Sequence, residues 1–261
     1  MASKSVLTLL GTGTSQGVPV IGCSCEVCRS KDPRDNRLRT SAMVEVGQCR
    51  LIIDAGPDFR QQLLRAGVSH ISAILLTHKH KDHIGGIDDV RALNFVDYPQ
   101  IHTVNIYATA DTVECVKKDY DYAFFKVRYR GTPEISLHTI DPEQSFTVDG
   151  VEITPIRGRH AHFEVTGYRF GDVAYMTDFK EIDDSELKKL YGVKVLVINA
   201  LRYQSHDSHL SVAEALAIIE KVAPERAYLT HMSHEIGLHA HAQEQLPEGV
   251  YFGYDGLKIE I

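Results

Sequence analysis

Thr77-His78-Lys79-His80-Lys81-Asp82-His83 is the stretch on which the reading of this chain turns. Before it runs Ile71-Ser72-Ala73-Ile74-Leu75-Leu76, a short apolar segment rich in branched side chains that reads as a buried strand. After it come Gly85 and Gly86, then a helical pattern through Val90, Leu93 and Val96. A buried strand therefore delivers four metal-capable side chains into a tight turn. Extended backbone at His78 and His80 points both imidazoles to one side, while the turn folds Asp82 and His83 towards a second point close by. Imidazole and carboxylate together suit zinc, manganese or iron, and two ions can share such a set. A polar turn with scattered histidines is the plainer alternative. Four ligand-type side chains from His78 to His83, directly after a buried strand, weigh against it.

Working outward, Val6–Leu10 reads as a first strand that ends in the glycine-rich loop Gly11-Thr12-Gly13-Thr14-Ser15-Gln16-Gly17. That loop lets backbone approach another element closely, but it lacks the Lys of a phosphate-binding P-loop and the third Gly of a dinucleotide fingerprint. A knuckle, Cys23-Ser24-Cys25-Glu26-Val27-Cys28, follows, and then a charged stretch, Arg29 to Arg39, expected at the surface. Ser41–Val46 and Arg50–Ile53 read as paired strands. Pro57 is expected to open a helix through Phe59, Leu63 and Leu64 that Gly67 closes. Val104–Ala108 is a further strand, and Asp111 is expected to cap the helix carrying Val113 and Val116. Residues 117–133 are rich in aromatic and basic side chains and fit a lid, a partner surface or aromatic core packing. Phe146 to Ile153 contains the Asp149-Gly150 hairpin signal. In the last third, Val173–Thr177, Val193–Ile198 and Arg226–Thr230 read as strands, and Ser211-Val212-Ala213-Glu214 is a capping box opening a helix to Val222.

Composition bounds the function. A length of 261 residues with 43% hydrophobic content is that of a globular protein, and with no linker visible one domain over 1–261 is the economical reading. A net charge of −7 argues against general nucleic-acid or anionic-membrane binding. No run is long enough to span a membrane, and the apolar core of the first ten residues is too short for a signal peptide, so a cytoplasmic address is expected. Five cysteines, three of them in one knuckle, favour metal over disulfide in a reducing compartment. Cys49 and Cys115 read as ordinary buried small residues.

Four strands end in ligand-type residues: Ile53 before Asp54, Leu76-Thr77 before His78, Met176-Thr177 before Asp178, and Leu229-Thr230 before His231. In α/β sheets such carboxyl ends converge on one edge, where ligands bind. The expected first metal site is His78, His80 and His160, and the second is Asp82, His83 and His231, with Asp178 bridging the two. Asp54 is expected to orient the His turn from behind. A water shared by two dications yields hydroxide near neutral pH.

This order of residues resembles the metallo-β-lactamase superfamily over nearly the whole chain. His78-x-His80-x-Asp82-His83, then His160, Asp178 and His231, matches its dinuclear motif. Within it the chain looks most like the cyclic phosphodiesterases of the carbon–phosphorus lyase pathway and their relatives. Gln16-Gly17-Val18-Pro19, Leu229-Thr230-His231-Met232-Ser233-His234 and Tyr254-Asp255-Gly256 carry that closer match. The resemblance implies an α/β (α+β) fold, a four-layer αββα sandwich, and a homodimer. It implies two divalent ions, zinc or manganese, in the active site, and a structural zinc held by Cys23, Cys25, Cys28 and His234. Three thiolates and an imidazole are a chemically sound closed zinc set.

The resemblance also places a histidine acting as general acid 22 residues before the one matching His231, a spacing that His209 meets and His206 does not. An imidazole there suits protonation of a leaving alkoxide. His162, His239 and His241 are expected in solvent or at a substrate rim. Arg157, Arg159, Lys180 and Arg202 are candidate phosphate contacts or surface charges. The implied activity is hydrolysis of a small, including cyclic, phosphodiester by metal-bound hydroxide, with Asp82 and His209 serving the chemistry. A tRNA 3′-endonuclease shares His209 but commonly carries an RNA-gripping insertion where only seventeen residues separate His160 from Asp178. Thioester or lactone hydrolysis, and a non-enzymatic zinc-knuckle module, are the remaining alternatives.

Overall fold

A computed structural model describes residues 5–127 and 129–261. Along the chain the strands are β1 Ser5–Gly11, β2 Ser41–Val46, β3 Cys49–Ile53, β4 Ala73–Leu75, β5 Val104–Ala108, β6 Ile135–Thr139, β7 Phe146–Val148, β8 Val151–His160, β9 Phe163–Phe170, β10 Val173–Met176, β11 Val195–Asn199, β12 Arg226–Thr230, β13 Val250–Phe252 and β14 Lys258–Glu260. The helices are α1 Phe59–Ala66, α2 Lys81–Ile84, α3 Val90–Asn94, α4 Ala110–Asp119, α5 Asp184–Leu187, α6 Val212–Val222 and α7 His239–Gln243. One sheet has the order β14-β1-β2-β3-β4-β5-β6, the other β13-β12-β11-β10-β9-β8-β7. Each pairs antiparallel on one side of its central strand, β3 or β10, and parallel on the other.

Side-chain alternation makes the layers. Leu51 and Ile53 of β3, with Val195 and Val197 of β11, enter a core between the sheets alongside Tyr168 and Tyr175. Ile52 points the other way, onto α1, α3 and α4, while Leu196 and Ile198 point onto α5 and α6. Strands buried on both faces must be apolar throughout, as β11 is. Each fully buried Leu or Ile contributes about 1.5–3 kcal/mol, so the arrangement is strongly specified. The result is the αββα sandwich.

Several local expectations hold and others shift. Asp149 and Gly150, with φ of 46° and 82°, turn the chain between the paired Val148 and Val151. Gly67 closes α1 in the left-handed region, and Ser211 and Glu214 form the reciprocal cap of α6. Helix α1 starts at Phe59, after Asp58, rather than at Pro57. Thr109, not Asp111, is the residue preceding α4. The pattern through Val90, Leu93 and Val96 resolves into a 3-10 turn, Ile87–Asp89, and a short α3, with Val96 beyond its end and exposed.

The charged stretch 29–39 is only in part a surface excursion: Arg29, Lys31, Pro33 and Asn36 are exposed, but two of its charged side chains are not. Asp35 and Arg37 are 2% and 1% exposed, because Asp35 accepts from the backbone N–H of His239 and Arg37 donates to the carbonyl of Ser233. His239 is correspondingly buried rather than in solvent, whereas His162 and His241 are exposed. In the aromatic stretch, the Tyr120 hydroxyl donates to the Ile84 carbonyl at 2.7 Å, bracing the His turn, while Phe125 and Tyr129 are exposed. Among the described residues no helix is long and apolar enough to cross a membrane.

Candidate metal centre and active site

The carboxyl ends of β3, β4, β10 and β12 open onto one edge, where Asp54, His78, Asp178 and His231 stand. Asp54, Asp178 and His231 all turn through positive φ (65°, 63° and 57°), a left-handed corner that aims the side chain back across the edge. Such backbone costs of order 1–3 kcal/mol per non-glycine residue and persists where surrounding contacts enforce it. The His turn is pinned main chain to main chain. Ala55 N–H donates to the His83 carbonyl and Gly86 N–H to the Ala55 carbonyl, both at 2.8 Å. A Cβ on Gly56 would lie 1.9 Å from the Asp82 carbonyl oxygen, so only glycine permits this approach.

His78, His80 and His160 form one group whose ligand atoms lie within 4.8 Å of one another, and Asp82, His83, Asp178 and His231 form a second. His78 Nε2 faces His80 Nδ1 at 3.1 Å. Two ring acceptors this close are repulsive unless a proton or a cation lies between them. His160 Nδ1 donates to the Ser208 carbonyl at 2.7 Å, which leaves its Nε2 lone pair free. Asp54 accepts from the Thr77 N–H and hydroxyl and from His83 Nδ1, the last at 2.7 Å. That last bond fixes the His83 proton on Nδ1 and turns Nε2 inward, the arrangement a metal-ligating imidazole requires. Among the described residues, His83 Nε2 and His231 Nε2 make no hydrogen bond although both are buried. His83 Nε2 lies 3.2 Å from Asp82 and from Asp178, and His231 Nε2 lies 3.1 Å from Asp178. Buried donor atoms converging without bonding one another fit divalent cations.

Electrostatics tells the same story. Burial pulls His83 and His231 down, yet the surrounding carboxylates, Asp178 first, lift His83 well above its ordinary range and His231 to about 9. Burial likewise opposes ionisation of Asp178 and Asp82, but His231 and His83 hold the first, and His83 and His231 the second, below the usual carboxylate range. Protons on these two imidazoles thus stand in for the positive charge that the carboxylates demand. Burial, and then His83, lowers His78, which keeps it a neutral ligand.

Asp178 also groups with His160 and His209, so it sits at the junction of the two sets, where a bridging carboxylate was expected. His209 Nδ1 is 3.6 Å from Asp178 Oδ1, and its ring lies 4.5 Å from that of His160 and 4.7 Å from that of His231. Burial, then His231, pushes His209 down to about 3, so it is neutral in the free site. The His206 ring lies 5.2 Å from that of His209, tilted by 43°, and Phe163 packs edge-on to His80 at 5.2 Å. The four cations considered as phosphate contacts are all engaged by carboxylates: Arg157 by Glu143 and Glu186, Arg159 by Glu181 and Asp183, Lys180 by Glu214, and Arg202 by Glu235.

Away from this edge, Cys23, Cys25 and Cys28 place their sulfurs 3.3, 3.3 and 3.6 Å from His234 Nδ1. The Cys28 N–H points at Cys25 Sγ and, as the largest influence, lowers that thiol to about 6. The loop Gly11–Thr14 lies against the other side of the His231 loop, Met232 N–H donating to Thr12 and Thr14 N–H to Met232. Knuckle and His231 therefore share a support. Cys49 is buried, whereas Cys115 is half-buried with its thiol on Asp119.

Residues 49–232 match the family model described as a beta-lactamase superfamily domain. A crystal structure described as a new diphosphatase from the PhnP family superimposes with a TM-score of 0.93 at 39% identity, covering 100% of this chain and 98% of that one. An octanoyltransferase of Porphyromonas gingivalis is 39% identical over 97% of this chain but 51% of its own length. A ribonuclease Z of Mycolicibacterium gilvum is 31% identical over 56% of this chain and 47% of its own length. The chain thus spans about half the length of the first curated relatives it matches.

Proposed function

The chain belongs to the metallo-β-lactamase superfamily and, within it, to the PhnP family, and from that membership we propose that it is a metal-dependent hydrolase of small phosphodiesters, cyclic ones included. The observation that carries this reading is the junction at Asp178, which joins two ligand groups and stands 3.6 Å from an imidazole outside both proposed ligand sets, His209. His78, His80 and His160 would hold one divalent ion and Asp82, His83 and His231 the other, with Asp178 between them. Bound there, zinc or manganese would bring the pKa of a shared water towards neutrality and neutralise charge on phosphoryl oxygens.

The chain's own residues do the rest. Asp54 and the Ser208 carbonyl hold the protons of His83 and His160 on Nδ1, keeping both Nε2 lone pairs on the site. His209 would hand a ring proton to the leaving oxygen. Burial, then His231, disfavours charge on that ring, and the anionic charge of a bound phosphodiester would favour it. Cys23, Cys25, Cys28 and His234 would hold a structural zinc that steadies the loop carrying His231.

Ribonuclease Z chemistry is the second reading, since it would use the same residues. The β8–β9 hairpin speaks against it: His160 pairs directly with Phe163, leaving no arm to grip RNA, and the chain carries a charge of −7. Octanoyl transfer is the name of a protein twice this length, and Cys49 and Cys115, the thiols outside the knuckle, line neither ligand group.

The test is a panel of cyclic and linear phosphodiesters offered to metal-reconstituted protein, with His209→Ala in parallel. Turnover is expected, with the variant losing alkoxide-leaving substrates and keeping activated aryl esters. Equal losses on both would remove the proton-donor role, and silence on every diester would remove the reading.

A further inference from the structure

A third group of ligand-type side chains stands on the opposite edge of the first sheet. His70 precedes β4, whose carboxyl end carries the catalytic turn, and His102 precedes the neighbouring β5, so both lie at the amino ends of their strands. Strand β4 runs between His70 and His78 and separates the two places. Asp97, on the loop between α3 and β5, accepts from His70 Nε2 and His102 Nε2, each at 2.8 Å on the same oxygen. The two rings stand nearly at right angles, 83° apart, so their nitrogens approach one point from two directions.

The three side chains are held by their surroundings. The Ser69 hydroxyl meets His70 Nδ1 at 2.9 Å, and Arg50 donates to the His70 carbonyl at 2.9 Å. His102 is fixed through buried Asn94, whose carbonyl takes the His102 N–H at 2.9 Å and whose amide donates to the carbonyls of His102 and Glu134. Asp97 begins its own turn, its carbonyl accepting from Gln100 N–H. The hydrogen bonds to its carboxylate, that from His70 first, hold it below its ordinary pKa, so it remains an anionic oxygen ligand at neutral pH. His70 and His102 also line a cleft of about 250 Å³ that reaches Asn105 and Asp149.

We propose that His70, Asp97 and His102 form a peripheral, exchangeable site for a first-row divalent cation such as Zn²⁺. Two imidazoles and one carboxylate suit zinc, nickel or copper and disfavour magnesium and calcium, which take oxygen ligands. With three protein ligands, the remaining positions stay open to water on the cleft side, so this site exchanges where the buried groups do not. The Ser69 hydroxyl already lies where it would accept from His70 Nδ1–H once Nε2 turns to the ion. An ion there would tie the loop before β4 to the loop before β5.

The experiment is a Zn²⁺ titration of the metal-loaded protein against a chromophoric chelator, for wild type, Asp97→Ala and His70→Ala/His102→Ala. Wild type is expected to take up one further equivalent, which both variants lose while retaining their tightly held metal and their hydrolytic rate. Added Zn²⁺ should also raise the unfolding midpoint of wild type alone, and Mg²⁺ should raise that of none of the three. Equal uptake by wild type and the double variant would overturn the proposal, as would no further uptake by wild type. A variant that lost its resident metal would be replaced by His102→Gln, for which the same loss of one equivalent is expected.

Discussion

Asp54→Asn isolates what the buried carboxylate behind the His turn contributes. Asp54 is fully buried, one oxygen accepting from Thr77 N–H at 2.8 Å, the other from the Thr77 hydroxyl at 2.9 Å and from His83 Nδ1 at 2.7 Å. Asparagine keeps the shape but replaces one acceptor with a donor. Either orientation sets N–H against N–H, and the cheapest relief is to move the His83 proton from Nδ1 to Nε2, into the metal site. One charge-assisted bond is worth about 1.5–3 kcal/mol, which corresponds to roughly 10–100-fold in metal affinity. The same loss should lower the unfolding midpoint by roughly 3–12 °C for a protein of this size. Metal retained through dialysis against graded chelator, read by elemental analysis, and a melting curve measure both. Unchanged affinity together with an unchanged midpoint would refute the tautomer argument.

Gly56→Ala should cost about 3 kcal/mol, because the new methyl meets the Asp82 carbonyl at 1.9 Å; a lowered denaturation midpoint together with reduced metal content is the expected pair of readings. Asp178→Ala should leave one ion or none at the catalytic edge, and elemental analysis showing two would contradict the bridging position. His239 makes stability depend on pH. Burial, then Arg34 and Arg37, lowers it to about 4 from an unfolded value near 6.5. The unfolded chain therefore binds the extra proton as pH falls through 6.5, and stability drops by up to about 3 kcal/mol before levelling below 4. Urea midpoints across that window should fall less for His239→Gln, and parallel curves would exclude this source.

Much of the site could be read from the chain because its residues follow strand ends, and strand ends announce themselves by apolar runs stopping at Asp54, His78, Asp178 and His231. The layers came from the resemblance instead: β11 is buried on both faces and β3 nearly so, and such strands carry no alternation to show which side meets the other sheet. Arg37, Asp35 and His239 escaped because their burial depends on partners about 200 positions away, and charge reads locally as surface. Thr109 displaced Asp111 before α4 because composition names a polar residue near a helix start without fixing which one turns the corner. Arg157, Arg159, Lys180 and Arg202 looked available only while their acidic neighbours were unknown. The group at His70, Asp97 and His102 gave no signal, since its members sit in separate loops with unrelated surroundings.

Asp54 and Asp178 terminate β3 and β10, the central strand of each sheet, through the same left-handed corner. The two halves of the molecule thus arrive at one geometry and assign it different work. In the first half the carboxylate is sealed against Thr77 and His83 as a brace; in the second it faces His231 and His209 at the reacting edge. With two like corners on one edge, one is free to face the reacting groups while the other preserves the alignment on which they rely.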